Sequence, residues 1–181
     1  MKLRVEAERE IYRGRVVRLV ERDLVLPNGR KTTFGVVEHP GAVAIVPVFE
    51  NGDVLLLKQF RPTIGRELYE IPAGTLEPGE SPLATAKREI VEETGFAARA
   101  WTKISEFYSA PGFCTEILHV FEARNLSPAT AELDVDEILR PIRMSLEKAL
   151  DLIERRTIRD AKSIAGLLVH HGQRRKVKKP R

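Results

Sequence analysis

The sequence predicts an α/β (α+β) protein in which a strand-rich first part precedes most of the helical segments. Apolar runs bounded by Gly, Asn and Pro dominate the first 60 residues, as is typical of β-strands. Three later segments, which follow Ser81, Ser145 and Asp160, have a helix N-cap residue before apolar positions at helical spacing. A chain of 181 residues suffices for one domain with a sound core and a small appendage.

The N-terminal segment, from about residue 5 to residue 38, is predicted to form short antiparallel strands. Apolar runs at 16–20 and 23–26 precede the turn Pro27-Asn28-Gly29-Arg30, and a further strand is expected over 31–37. A hairpin of this size is barely stable alone, so it must pack against another surface. We therefore assign residues 1–40 to a separate N-terminal antiparallel β appendage.

A buried strand pair is predicted at the start of the main domain, which we place at residues 41–171. Residues 42–48 are almost continuously apolar, which is typical of a strand that is covered on both faces. Asn51-Gly52 then turns the chain into a second apolar run at 53–57.

The most informative stretch is the 23-residue run from Gly74 to Phe96. Glu89, Glu92 and Glu93 stand at i, i+3 and i+4, so a helix places them on one face. Like charges at this spacing cost a helix roughly 0.2–0.5 kcal/mol per pair. A hard divalent cation removes the repulsion, and Mg²⁺ is held by carboxylates together with substrate phosphates. The cluster therefore indicates metal-assisted chemistry on a phosphorylated substrate, whereas a glutamate cluster alone would usually be a solvated helix surface.

Local signals support a helix in this run. Ser81 is a good N-cap, Pro82 suits the first helical position, and Gly95 suits the left-handed position after the end. Arg88 lies among the acidic residues and is expected to hold one of them in a bidentate pair. The stripe expected to face inward consists of Leu83, Ala86, Ile90 and Thr94.

The C-terminal part is predicted to be helical over 146–153 and again over 161–170. Six of the thirty basic residues lie among the last eight positions, and without them the formal net charge of +4 would be −2. These cations have no interleaved aromatic residues, so residues 172–181 are predicted to be a solvated, disordered tail, and we expect no nucleic-acid binding.

Composition favours a cytoplasmic enzyme. The single cysteine, Cys114, excludes an internal disulfide and suits a reducing compartment. We expect no signal peptide and no membrane span, because no apolar run is long enough. The four histidines lack the spacing of a zinc site.

The run from Gly74 to Phe96 resembles the Nudix box, G-x5-E-x7-R-E-U-x-E-E-x-G-U, in which U is an aliphatic or bulky apolar residue. The resemblance implies a Nudix fold, with a mixed β-sheet sandwiched between helices, and hydrolysis of a nucleoside diphosphate that is linked to another group. The matching positions are Gly74, Glu80, Arg88, Glu89, Ile90, Glu92, Glu93, Gly95 and Phe96.

The same resemblance implies roles for individual residues. Glu89 and Glu93 are the expected principal ligands of Mg²⁺, with Mn²⁺ as the alternative ion. Glu92 is expected to be a further ligand or to organise the attacking water, and the carbonyl of Ala73 is an additional ligand. Glu80 and Arg88 are expected to hold the ligand residues in place without binding the metal themselves.

The flanking residues are similar to the ADP-ribose pyrophosphatase branch of this family. The similar pieces are 59–61, 69–74 and 107–113, and a proline of that branch matches Pro111, which lies 16 residues after Gly95. The branch forms homodimers through its N-terminal sheet. The resemblance therefore implies that residues 1–40 are a dimerisation region.

Two substrate-binding roles follow from the resemblance, each beside a plainer alternative. Arg61 is expected to bind the diphosphate, because a guanidinium suits bidentate phosphate recognition. The alternative is an ion pair with Glu67 or Glu70. Glu116 is expected to accept a hydrogen bond from a ribose hydroxyl, and the alternative is a solvated strand residue.

The catalytic base is expected in the acidic loop at 133–137. Glu137 is the first candidate and Asp136 the second, as relatives place an acidic residue in a loop beyond the box. A plain acidic surface loop is the alternative, in which case Glu92 or Glu93 would activate the water through the metal.

The expected function is Mg²⁺-dependent hydrolysis of a nucleoside diphosphate sugar, with ADP-ribose cleaved to AMP and ribose 5-phosphate. One alternative is a GDP-mannose or broader nucleotide-sugar pyrophosphatase, because that neighbouring branch shares the flanking pieces. An alternative of another class is a non-catalytic Nudix-fold module that binds nucleotides or RNA. Such modules lose box glutamates, and none is lost here.

Overall fold

The computed structural model describes residues 2–130 and 138–177. Within them the chain forms two compact units, one comprising residues up to Gly41 with Tyr108–Ile117 and the other comprising Ala42–Phe107 with the chain from Leu118 onward. The strands are β1 (Arg4–Arg13), β2 (Arg18–Val25), β3 (Lys31–Glu38), β4 (Ala42–Pro47), β5 (Val54–Arg61), β6 (Arg66–Glu70), β7 (Ala73–Thr75), β8 (Phe96–Tyr108), β9 (Ile117–Pro128) and β10 (Leu139–Met144). The helices are α1 (Pro82–Thr94), α2 (Leu146–Glu154) and α3 (Ala161–Val177).

The first unit is built on an antiparallel sheet with the strand order β1-β2-β3. The two apolar runs predicted as separate strands form the single strand β2, and the predicted hairpin turn is present, with Gly29 at φ 84°. The segment 108–117 belongs to this unit, although the sequence placed it in the main domain. Its backbone pairs with β3, since Val37 donates to the carbonyl of Phe113 at 2.7 Å.

The second unit has β4 at its centre, paired in parallel with β9 and antiparallel with β7. Every residue of β4 is buried. Because successive side chains of a strand point to opposite faces, Val43 and Ile45 pack with Ala86 and Ile90 of α1. On the opposite face, alternate β4 residues pack with Leu146 and Ala149 of α2 and Leu167 of α3. The predicted mixed sheet between helices is thus confirmed.

A second sheet of this unit, with the order β10-β5-β6, is antiparallel and places two charged residues at strand ends. β5 ends at Arg61 and β6 ends at Glu70. Only Ile71 and Pro72 separate Glu70 from the start of β7, so these strands lead directly to the residue before the glutamate-rich run.

Helix α1 forms over the predicted residues. The Ser81 hydroxyl accepts a hydrogen bond from the Ala84 amide, and Gly95 ends the helix at φ 70°. The prediction that Leu83 faces inward is wrong, because Leu83 is 37% exposed. Successive helical residues are about 100° apart, so Leu83 shares the face of Ile90 and Thr94. It differs from them in lying in the first turn, since the helix begins at Pro82. Thr85 and Glu93 are buried instead.

Helix α3 begins as predicted after Asp160, whose carboxylate accepts from the Ser163 amide at 2.9 Å. It continues to Val177, so residues 172–177 are helical rather than part of a disordered tail. Gly172 alone is a weak helix breaker, and no proline lies between Asp160 and Pro180. Residues 178–181 lie outside the described residues. Over the residues that the structure describes, no helix is both long and apolar enough to span a membrane.

Candidate active site

The glutamate face of α1 lies against the start of β7. The Ala73 amide donates a hydrogen bond to Oε2 of Glu93 at 2.9 Å, and Glu93 is only 3% exposed. Gly74 adjoins Glu89 so closely that a Cβ atom there would lie 1.9 Å from the Glu89 carboxylate carbon. The missing side chain at Gly74 therefore makes the space that the Glu89 carboxylate occupies.

Arg88 links three of the box carboxylates. Its Nε and Nη2 atoms donate to the two oxygens of Glu80 at 3.2 and 3.1 Å, which is the bidentate pair that the sequence predicted. Its Nη1 atom donates to Glu89 and to Glu92, each at 2.8 Å. The hydrogen bond from Arg88 lowers the pKa of Glu80, and Glu80 in turn raises the pKa of Arg88. The ion pairs therefore favour the charged forms of both residues.

The three helix glutamates differ in exposure. Glu93 is buried, the Glu89 side chain is 13% exposed, and the Glu92 side chain is 40% exposed. Among the described residues, no three His, Cys, Asp or Glu side chains are close enough together to hold a metal ion. The donors nevertheless fit a hard divalent cation, because Mg²⁺ needs only one or two protein carboxylates beside water and phosphate oxygens. Gly74 supports the same fit, because its lack of a side chain lets the Glu89 carboxylate lie against the backbone of β7.

A second charged network lies at the ends of β5 and β6. Arg61 donates to Glu70 through Nε at 2.8 Å and through Nη2 at 2.7 Å. The ion pair with Glu70 that the sequence left open is therefore present, while the Arg61 side chain stays 37% exposed. Lys162 also donates to Glu70, and its Nζ lies 3.0 Å from Asp160. Sequence reasoning missed Lys162, because it lies 92 residues from Glu70 and no local pattern joins them.

The remaining predicted residues either belong to the first unit or fall outside the described residues. Glu116 belongs to the first unit, where its side chain is 23% exposed and one oxygen is 3.8 Å from Nδ1 of His39. That nitrogen accepts a hydrogen bond from the Gly41 amide. Pro111 is exposed in the same unit. The proposed bases Asp136 and Glu137 lie outside the described residues.

Comparison with known proteins gives a consistent family result. A model described as the NUDIX domain matches residues 38–167. An ADP-ribose pyrophosphatase of Bacillus subtilis (strain 168) is 46% identical over 159 residues, which cover 87% of this chain and 86% of that protein. A methanol dehydrogenase activator of Bacillus methanolicus is 39% identical over 157 residues, with coverage of 86% and 85%.

A solved structure supports the fold independently. The crystal structure of an ADP compounds hydrolase superposes with a TM-score of 0.86 at 24% sequence identity. The superposition covers 99% of this chain and 98% of that one. At this level of identity the likeness concerns the fold alone.

The buried Glu70 carboxylate should make stability depend on pH. Burial raises the pKa of Glu70, but the hydrogen bonds and charges of Arg61 and Lys162 outweigh burial, so the pKa lies below its ordinary value. A lowered folded-state pKa contributes stability above the unfolded pKa, and the contribution is lost as pH falls through the folded pKa. We expect Glu70→Gln to lower Tm at neutral pH, by an amount that shrinks as pH falls below the ordinary glutamate pKa of 4.5.

Calorimetry across this pH range measures the effect. Glu50→Gln is the control, since Glu50 is exposed and makes no ion pair among the described residues. A Tm difference between wild type and Glu70→Gln that is the same at every pH would contradict the assignment.

Proposed function

Because this chain belongs to the NUDIX domain family and is a hydrolase, we propose that it cleaves ADP-ribose to AMP and ribose 5-phosphate. The family match confirms the resemblance carried by the box. The relative at 46% identity, which is named an ADP-ribose pyrophosphatase, supports this choice among nucleoside diphosphate sugars. GDP-mannose or a broader set of nucleotide sugars is the alternative, because the flanks of the box resemble both branches.

The contact between α1 and β7 is the observation that carries the proposal. It keeps Glu93 on the Ala73 amide and Glu89 beside Gly74, so two carboxylates are held against the backbone at the start of β7. A module that only bound nucleotides would have no need of these buried acids, because burying a charge is costly unless it is paired. The geometry therefore favours an enzyme over a non-catalytic binding module.

A divalent metal ion belongs to this chemistry, and we propose Mg²⁺, with Mn²⁺ as the alternative. Glu89 and Glu93 would hold it, together with Glu92 and the carbonyl of Ala73. When bound, the ion supplies Lewis acidity toward the phosphoryl oxygens. Arg88, which Glu80 holds, would keep the Glu89 and Glu92 carboxylates in position.

The chain's own residues supply binding and proton transfer. Arg61 would bind the diphosphate with the N–H groups that Glu70 does not use. The attacking water gives its proton to an acidic side chain as its oxygen bonds to phosphorus, and the leaving phosphate departs with the bridging oxygen. Glu137 is the first candidate for this base and Asp136 the second, with Glu92 or Glu93 as the alternative. Glu116 and Pro111 remain candidates for the ribose contact and the loop beside it.

We further propose that residues 1–40 dimerise two copies of this chain, that 41–171 form the catalytic domain, and that the enzyme works in the cytoplasm. All ten residues of β1 are exposed. An exposed strand edge with apolar side chains is a ready surface for pairing with another chain. The exposed apolar side chains of this region are Leu3, Val5, Ile11, Tyr12, Val16 and Phe34.

Removal of the Glu93 charge should abolish most activity while leaving the fold intact. In Glu93→Gln the amide oxygen can still accept from Ala73, but a metal ligand loses its charge. We expect kcat/KM for ADP-ribose with Mg²⁺ to fall about 100-fold or more, as for other groups that stabilise charge in the transition state. Chromatography of AMP release measures this, with Glu50→Gln as the exposed-carboxylate control.

Two results of that assay would contradict the proposal in different ways. Wild-type rates in Glu93→Gln would overturn the ligand assignment. A clear preference for GDP-mannose would overturn the substrate assignment but retain the chemistry.

A side chain at Gly74 should displace Glu89 rather than unfold the protein. The clash in Gly74→Ala is with the end of a flexible side chain, so the Glu89 carboxylate can move away. We expect kcat/KM to fall about 10-fold or more through misplacement of this group, with little change in Tm. Gly172→Ala is the control, because a Cβ there meets nothing within 4 Å. Unchanged activity in Gly74→Ala would show that the position of Glu89 is unimportant.

The dimer is tested by sedimentation of the purified protein. We expect a mass of two chains, and Ile11→Glu with Tyr12→Glu should shift it toward one chain by placing charge in an apolar contact. A wild type that sediments as a monomer at micromolar concentration would contradict the assignment of residues 1–40.

A further inference from the structure

Arg61 uses one edge of its guanidinium group to hold Glu70. Nε and Nη2 both donate to Glu70, and the Arg61 side chain as a whole remains 37% exposed. The hydrogen bonding to Glu70 raises the pKa of Arg61 most, and the negative charges of Glu70, Glu93 and Asp160 raise it further against the effect of burial. The guanidinium therefore lies within electrostatic range of the box carboxylate Glu93, while part of the side chain stays exposed to a ligand.

Glu70 requires a second cation to hold Arg61 in this way. The Glu70 side chain is only 2% exposed, and a buried carboxylate is costly unless its oxygens are paired. Arg61 and Lys162 share the same oxygen, Oε2, so each cation limits the position that the other can take. The Lys162 side chain is itself 12% exposed and therefore has little freedom to leave.

The first turn of α3 fixes Lys162 in turn. Asp160 lies 3.0 Å from Nζ of Lys162 and accepts hydrogen bonds from the amide and the hydroxyl of Ser163. The Ser163 hydroxyl accepts from the amide of Ile71 at 2.8 Å. The residue after Glu70 and the lysine that contacts Glu70 are therefore tied to the same helical turn.

We propose that Lys162 and Glu70 are positioning residues, which orient the Arg61 guanidinium toward the diphosphate of the substrate. This inference rests on the proposed function. Lys162 touches no substrate; it holds the Glu70 carboxylate, and that carboxylate holds two of the three nitrogens of Arg61. A guanidinium that is fixed in this way has already lost its rotational freedom before it meets a phosphate, so binding costs less entropy.

A double-mutant cycle between Lys162 and Arg61 tests the proposal. Lys162→Met removes the charge at similar length, and Lys162→Arg restores it. Arg61→Lys keeps a positive charge facing Glu70, so the fold is retained, but the fork is lost. Lys148→Met is the matched control, because Lys148 is exposed on α2 and makes no ion pair among the described residues. Tm is measured for every variant, and assays are run well below the lowest value.

We expect a loss of kcat/KM that depends on the presence of the Arg61 guanidinium. Lys162→Met should lower kcat/KM for ADP-ribose about 10-fold, largely through a higher KM, because misplaced binding groups are costly. Lys162→Arg should recover most of this loss, and Lys148→Met should equal wild type. In the Arg61→Lys background, Lys162→Met should change kcat/KM by less than about 2-fold, since residues that act through one another are not additive.

Three results would overturn the inference. The first is wild-type kinetics in Lys162→Met. The second is an equal loss from Lys162→Met in both backgrounds, which would mean that it acts independently of Arg61. The third is a lower kcat at unchanged KM that follows the fraction of folded protein, which is the result of a purely structural role. A wild type that turns over no nucleotide sugar would overturn the proposed function first, and this inference with it.

Discussion

Two buried carboxylates, Glu70 and Glu93, are the constraint on which the rest of the site depends. Glu70 precedes the short segment Ile71-Pro72, and Glu93 accepts from Ala73, which follows it. Both side chains are buried, and each must be paired because a lone charge in a protein interior is costly. Glu93 is paired with the Ala73 amide, while Glu70 takes two cations. Satisfying both charges brings the ends of β5, β6 and β7 together with α1 and α3.

Pairing of this kind contributes more to precision than to stability. Much of the attraction within a buried ion pair offsets the cost of removing its members from water, so the net gain is small. Removal of one partner is far more expensive, because the other charge then remains buried and unpaired. The networks around Arg88 and around Glu70 therefore restrict the geometry of the site, because few arrangements of these strands and helices pair every charge.

Sequence reasoning succeeded where local chemistry decides the structure. The bounds of α1 follow from Ser81, Pro82 and Gly95, and the burial of β4 follows from its apolar run. Helical spacing also placed the three glutamates on one face. It did not predict which of them faces the core: Glu93 is buried, whereas the Glu92 side chain is 40% exposed. An ion pair of Glu70 with Arg61 was one of the alternatives from sequence, but its second partner could not be foreseen, because the contact with Lys162 exists only once α3 has folded onto β6.

The contact between α3 and the segment after Glu70 means that the site has two parts, which are encoded differently in the sequence. The box, with its glutamates and Arg88, lies in one continuous stretch of chain, whereas the support of Arg61 is divided between β6 and the beginning of α3. Substitutions in the second part can therefore accumulate without altering the motif that defines the first. Because every nucleotide sugar carries the diphosphate, such substitutions would change how tightly substrates are held while the residues of the box are inherited unchanged.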